Sequence, residues 1–259
     1  MADASSPRGD RAGAVATFLG TLFGNLFIVV GSLVLGSLAI LSWLLSPSGR
    51  LGYPLAIVWG RLLLACSGVR LTVDRPREVI EARPCIFMSN HESLFDIPVL
   101  LSSLPGQTRF LAKESLLRIP IFGWALRAIG FIAVDREDRS RAPDVFAAAI
   151  DRLRHEFSVV IFPEGTRTRD GNLLPFKRGG FLLAIRAGCP IVPVGISKTR
   201  SVQPRGAFLI RPRRVAVRYG EPIPTTGLGV RDRKELMNRV RASVAALAGH
   251  HEETVEESI

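Results

Sequence analysis

From Ala12 to Gly49 the chain carries no charged residue, and the part ending at Leu45 is 34 consecutive, largely apolar residues. No other feature restricts the fold as strongly. A signal-peptide core is about 7–15 residues, so this run is too long for one. As a single helix it would reach about 51 Å, against a hydrocarbon core of roughly 30 Å. A break is therefore expected, and Gly24-Asn25 is the place the sequence offers for it. Leu26–Leu45 is then a 20-residue piece able to span, with Trp43 near an interface. The piece before it lies in the interface or forms the other arm of a re-entrant hairpin. Residues 52–68, GYPLAIVWGRLLLACSG, read as an interfacial helix feeding a globular part. The competing reading of the whole region is a buried core helix. Gly20 and Gly24 have the small-xxx-small spacing that lets helices pack closely.

Beyond Val69 the pattern changes to short β-branched runs bounded by Gly, Pro and charge. It predicts strands at 70–74, 85–89, 109–113, 131–135, 158–162, 191–196 and 214–219. Helices are expected at 94–103, 119–129, 143–156, 178–187 and 231–248. Strands alternating with helices imply an α/β fold, a mixed, largely parallel sheet flanked by helices, with the N-terminal membrane-embedded helical segment attached. The chain divides into a polar N-terminus (1–11), a membrane-anchoring segment (12–67), a globular domain (68–248) and a polar acidic tail (249–259).

The net charge of +11 is unevenly placed. Between Gly171 and Gly220 there is no Asp or Glu but ten Lys and Arg residues. Such a face expects an anionic partner such as a lipid head group, a phosphate ligand or an acidic protein. Nucleic acid is not expected, because no helix-turn-helix, stacking stripe or zinc motif accompanies the charge. By the positive-inside tendency the basic domain is expected on the cytoplasmic side of the membrane. Cys66, Cys85 and Cys189 stand apart in apolar contexts, reading as buried free thiols, and no metal-ligand spacing occurs.

Three stretches carry candidate chemistry. In SNHESLFDIP, Ser93 and Asp96 fit a capping-box start to the following helix, with Ser93 as N-cap. His91 lies just outside that helix, where Asp96 can reach it. A carboxylate on one imidazole nitrogen fixes the tautomer and stabilises the cation formed when the other nitrogen takes a proton. There is no Gly-x-Ser-x-Gly elbow, so the pair is a base and its orienter without a protein nucleophile, and a substrate hydroxyl is the expected nucleophile. The second stretch, FPEGTRTRDGNLLPFKRGG, follows a strand. Gly165 and Thr166 allow a turn whose amides face an anion, Arg167 adds a bidentate donor, and Lys177 adds a charge before a helix start. Glu164 either accepts a ligand hydroxyl or positions Arg167. Arg136, after the strand GFIAVD, is a further phosphate ligand candidate. No Walker loop occurs, so ATP is not indicated.

In order, NHESLFD, GFIAVDR, FPEGTRT and CPIVPVGI resemble the four motifs of the glycerolipid acyltransferase family, in particular its bacterial 1-acylglycerol-3-phosphate acyltransferases. The resemblance covers about residues 55–225. Ala133 stands where the second motif usually has an aromatic, with Phe131 nearby, and Thr168 replaces a serine. The resemblance implies acyl transfer from acyl-CoA or acyl carrier protein to the sn-2 hydroxyl of lysophosphatidic acid at a membrane, giving phosphatidic acid. It implies His91 as base, Asp96 as its orienter, and Arg136, Glu164, Gly165, Thr166, Arg167 and Lys177 around the acceptor. No cofactor or metal is expected, because a thioester is already activated. Alternative acceptors are lyso-ornithine lipid, other lysophospholipids and glycerol-3-phosphate. The non-enzymatic alternative is a membrane-surface lipid-binding protein.

Overall fold

The computed structural model describes residues 7–135 and 142–249. It opens with α1 (Pro7–Trp43) and α2 (Tyr53–Cys66). Then follow β1 (Arg70–Asp74), α3 (Glu78–Glu81), β2 (Ile86–Ser89), α4 (Asp96–Ser103), β3 (Thr108–Lys113), α5 (Glu114–Leu117), α6 (Phe122–Ala128) and β4 (Ile132–Val134). The second half holds α7 (Ala142–Arg154), β5 (Ser158–Ile161), α8 (Gly179–Ala187), β6 (Ile191–Ser197), α9 (Thr199–Val202), β7 (Arg214–Tyr219) and α10 (Arg233–Ala248). Each strand expected from the sequence is present, with ends within a residue or so. The additional helices α3, α5 and α9 are single turns of four residues, too short to show a helical period.

The strands form one seven-stranded sheet in the order β1-β7-β6-β2-β5-β3-β4. Every neighbouring pair is parallel except β6 and β7. Central strands β2 and β5 are buried at every position, as two covered faces require, whereas β7 alternates. Along β2, Phe87 packs with Val99 and Leu100 of α4, while Ile86 and Met88 pack with Phe181 of α8 and Val240 of α10. The sheet is thus the middle layer between α2 with α4 and α7 with α8 and α10. The C-terminal ends of β2, β5 and β6 come together, the place where open α/β sheets bind ligands.

The break expected at Gly24-Asn25 does not occur, and α1 runs unbroken through it. Gly24 is a packing position: a Cβ there would lie 2.6 Å from Ser67 Oγ and 2.9 Å from Ile210 Cδ1. The backbone of α1 therefore comes close to the domain at a point where the sequence suggests a hinge. Gly20 belongs to the same face, against Pro212 and Ser67, so the spacing docks α1 on its own domain. Thr21 Oγ1 donates to Ile210 O at 3.2 Å and accepts from Ile210 N at 2.9 Å. Farther along, Trp59 Nε1 donates to Ser32 Oγ at 3.0 Å, and Gly36 meets Ala125 of α6. The contacted stretch from Thr21 to Ser42 is about 32 Å long, so the piece expected to span by itself lies against the domain along its length. The opposite face of α1, including Phe18, Leu26, Val29 and Leu41, is exposed and apolar.

Candidate active site

Three loops at the ends of β2, β5 and β6 build the site. The first leaves β2 at Asn90, whose side chain acts as a substitute strand. Its Nδ2 donates to Ile196 O and its Oδ1 accepts from Ile196 N, both at 2.8 Å. That reciprocal pair fastens the loop to β6 and directs the next residue, His91, over the end of the sheet. The imidazole stacks on Phe162, with ring centroids 4.0 Å apart and planes 16° from parallel. His91 Nδ1 lies 2.7 Å from Asp96 Oδ2. With the carboxylate as acceptor, Nδ1 carries the proton and Nε2 presents its lone pair, the tautomer assigned by this hydrogen bond.

Asp96 is fully buried and held from several directions. Besides His91, Oδ2 accepts from Glu92 N at 2.7 Å and Ser93 N at 2.9 Å, while Oδ1 accepts from Thr199 Oγ1 at 2.5 Å. The capping relation expected of Ser93 and Asp96 is present in part. Asp96 caps Ser93 N, and Ser93 Oγ accepts from Phe95 N at 3.2 Å. Regular helix nevertheless begins only at Asp96, with Phe95 in the N-cap position; Ser93 Oγ, besides accepting from Phe95 N, donates to Gln203 O at 2.7 Å.

The second loop, after β5, underpins the first. Glu164 is buried, and both its oxygens accept from backbone amides, Oε1 from His91 N at 2.7 Å and Oε2 from Leu174 N at 2.8 Å. It joins the two loops through these amides. Burial, outweighing those two donors, pushes its carboxyl up to about 7. Thr168 N donates to His91 O at 2.9 Å, a second tie between the same loops. Gly165 adopts φ +70°. A side chain there would meet Lys177, whose Cε and Nζ would stand under 3 Å from a Cβ, so glycine lets the lysine fold over the turn. Thr166 and Arg167 are half-buried beside it. Burial lowers the Arg167 pKa, with repulsion from Arg205 adding and attraction from Asp96 opposing. The third loop supplies Thr199, and Arg205 Nη1 donates to Arg167 O at 3.0 Å.

The structure thus gathers His91, Asp96, Glu164, Gly165, Thr166, Arg167 and Lys177 at one end of the sheet. Arg136 lies outside the described residues. Asn90, Phe162, Thr168 and Thr199 also shape the site; the first three lie within the quoted motifs but carry no site role there, and Thr199 lies outside them. Their partners are remote in the chain, so the motifs mark the positions without the contacts. An apolar cleft between α1, α2, α4 and α6 begins at Ile97, the residue after Asp96, and is lined also by Gly36, Ala39, Trp59, Leu101 and Phe131.

A family model described as Acyltransferase matches residues 70–197. Human 1-acyl-sn-glycerol-3-phosphate acyltransferase beta is 36% identical over 192 residues, covering 74% of this chain and 69% of that protein. The 1-acyl-sn-glycerol-3-phosphate acyltransferase of Salmonella typhimurium is 35% identical over 133 residues, 51% of this chain and 54% of that protein. Among solved structures, the 1-acyl-sn-glycerophosphate acyltransferase PlsC of Thermotoga maritima superposes with a TM-score of 0.76 at 25% identity, covering 91% of this chain and 96% of that one. The sheet, the His91–Asp96 pair and these likenesses agree: the chain belongs to the acyltransferase family that contains the 1-acyl-sn-glycerol-3-phosphate acyltransferases.

Proposed function

We propose that the chain transfers a fatty acyl group from acyl-CoA or acyl carrier protein to the sn-2 hydroxyl of 1-acyl-sn-glycerol-3-phosphate, giving phosphatidic acid. The observation that carries this reading is the His91–Asp96 pair with Nε2 open. Among the described residues no serine or cysteine side chain hydrogen-bonds to the imidazole, so the nucleophile comes with the substrate. His91 Nε2 takes the proton of the acceptor hydroxyl as its oxygen attacks the thioester carbonyl carbon. The tetrahedral intermediate collapses, the carbon–sulfur bond breaks, and the imidazolium returns the proton to the leaving thiolate. Asp96 stabilises the imidazolium, and Thr199 with the amides of Glu92 and Ser93 keeps the carboxylate from turning away. A positioned base contributes about 10²–10⁴-fold, and orientation of the two substrates supplies more.

Arg167, Lys177, Thr166 and the Gly165 turn, with Arg136, are assigned to the acceptor's phosphate, whose oxygens match guanidinium and ammonium donors. Glu164 serves by fixing the turn beneath them. The apolar cleft beginning at Ile97 suits an acyl chain. The outer face of α1 and, near Asn25, the exposed Phe208 and Leu209 offer apolar surface. Because α1 is docked over a bilayer-core length, this surface favours immersion in one leaflet of the inner membrane from its cytoplasmic side. A panel of acceptors and donors given to the purified chain tests the assignment. Lysophosphatidate with acyl-CoA or acyl carrier protein yields phosphatidate; turnover confined to another lysolipid or to glycerol-3-phosphate contradicts it.

A further inference from the structure

Next to the catalytic pair runs a second groove that the chemistry above does not use. It holds about 620 Å³ and is lined by Glu92, Ser197, Lys198, Arg200, Ser201 and Arg218, with only small residues and Pro204 besides. Three cations face it against one carboxylate, and Glu92 is 6% exposed, its Oε1 accepting from Asn90 Nδ2 at 3.1 Å. Among the described residues none of the three cations forms a salt bridge.

Two of these cations are held by backbone carbonyls before any ligand arrives. Arg200 Nε and Nη2 donate to Arg169 O at 3.2 and 3.0 Å, and Arg218 Nη1 donates to Leu247 O at 3.0 Å. Each guanidinium keeps further N–H donors, already oriented. Lys198 sits at φ +70°, a conformation uncommon for a residue with a side chain. The segment is also connected to the catalytic carboxylate, since Lys198 and Arg200 flank Thr199, whose hydroxyl donates to Asp96. A groove without large apolar side chains does not suit an acyl chain. Clustered guanidinium, ammonium and hydroxyl donors suit phosphoryl oxygens.

We propose that this groove is a phosphoryl-binding site separate from the Gly165–Lys177 turn, and that it receives a phosphate of the acyl donor or of a lipid head group. The choice of substrate source rests on the acyl-transfer reading; the anion site does not.

The test uses the full chain in detergent and the double variant Lys198→Asn, Arg218→Gln. Asparagine tolerates the left-handed backbone and glutamine retains a donor for Leu247 O; thermal melting checks the fold. Inorganic pyrophosphate is titrated calorimetrically, and KM is measured separately for acyl-CoA and for lysophosphatidate. Pyrophosphate affinity is expected to fall about tenfold or more in the variant. A matching rise in KM for acyl-CoA alone assigns the site to the donor's phosphates, and a rise for lysophosphatidate alone assigns it to the head group. Unchanged pyrophosphate affinity, or a fall that moves neither KM in an active enzyme, overturns the proposal. If the wild-type chain transfers no acyl group while the variant loses pyrophosphate affinity, the acyl-transfer reading fails and the anion site stands.

Discussion

Glu164 lies 73 residues from His91 in the chain, yet its carboxylate accepts the His91 amide, and its other oxygen accepts an amide 10 residues on. Both oxygens face donors, so Glu164→Gln sets an NH₂ group against one N–H. That costs about 1–3 kcal/mol and loosens the histidine loop, so kcat is expected to fall roughly 10–100-fold. Burial also gives Glu164 a pH signature. Its carboxyl is raised from 4.5 to about 7, so the folded state binds the proton more tightly than the unfolded state. Stability therefore declines as pH rises from about 4.5 to about 7, by up to roughly 3 kcal/mol. Glu92, also raised by burial to about 7, contributes in the same sense. Thermal melting of wild type and the Gln variant across that range is expected to show a shallower decline for the variant; equal slopes would contradict the assignment. His91 and Asp96 were legible in the sequence because five positions and a turn join them. Glu164 was legible as a site residue, but its bonds were not, and Thr199 was not legible at all. It meets Asp96 across 103 residues, which only the sheet brings together.

At the scale of elements, strand runs and most helices were readable because burial on two faces writes apolar β-branched segments, and on one face an amphipathic period. The one-turn helices were not, having no period to show. The reading of Gly24-Asn25 as a break failed for a definite reason: glycine serves equally as a hinge and as a close-approach position, and only the partner distinguishes them. Here the partners are Ser67 and Ile210. Gly24→Val is expected to overpack this contact and destabilise the protein by about 1–3 kcal/mol. A lowered melting temperature in detergent checks it, and an unchanged one would mean that α1 does not dock there.

For the molecule as a whole, the sequence showed a long apolar segment, a basic domain and a histidine–aspartate pair without a protein nucleophile beside it, but not how segment and domain are arranged. That arrangement is set by α1 packing on its neighbour α2 and on α6 and the 208–212 loop, the last two far from it in the chain. It leaves the apolar cleft with Ile97 in its wall, one residue along the chain from Asp96. At the centre of the chemistry stands the assignment of His91 as the base for a substrate hydroxyl. The most direct measurement is phosphatidate formation from labelled acyl donor and lysophosphatidate by membranes containing wild type or His91→Ala at equal, folded amounts. A loss of at least about 10²-fold is expected in the variant, and undiminished product would contradict the assignment of His91.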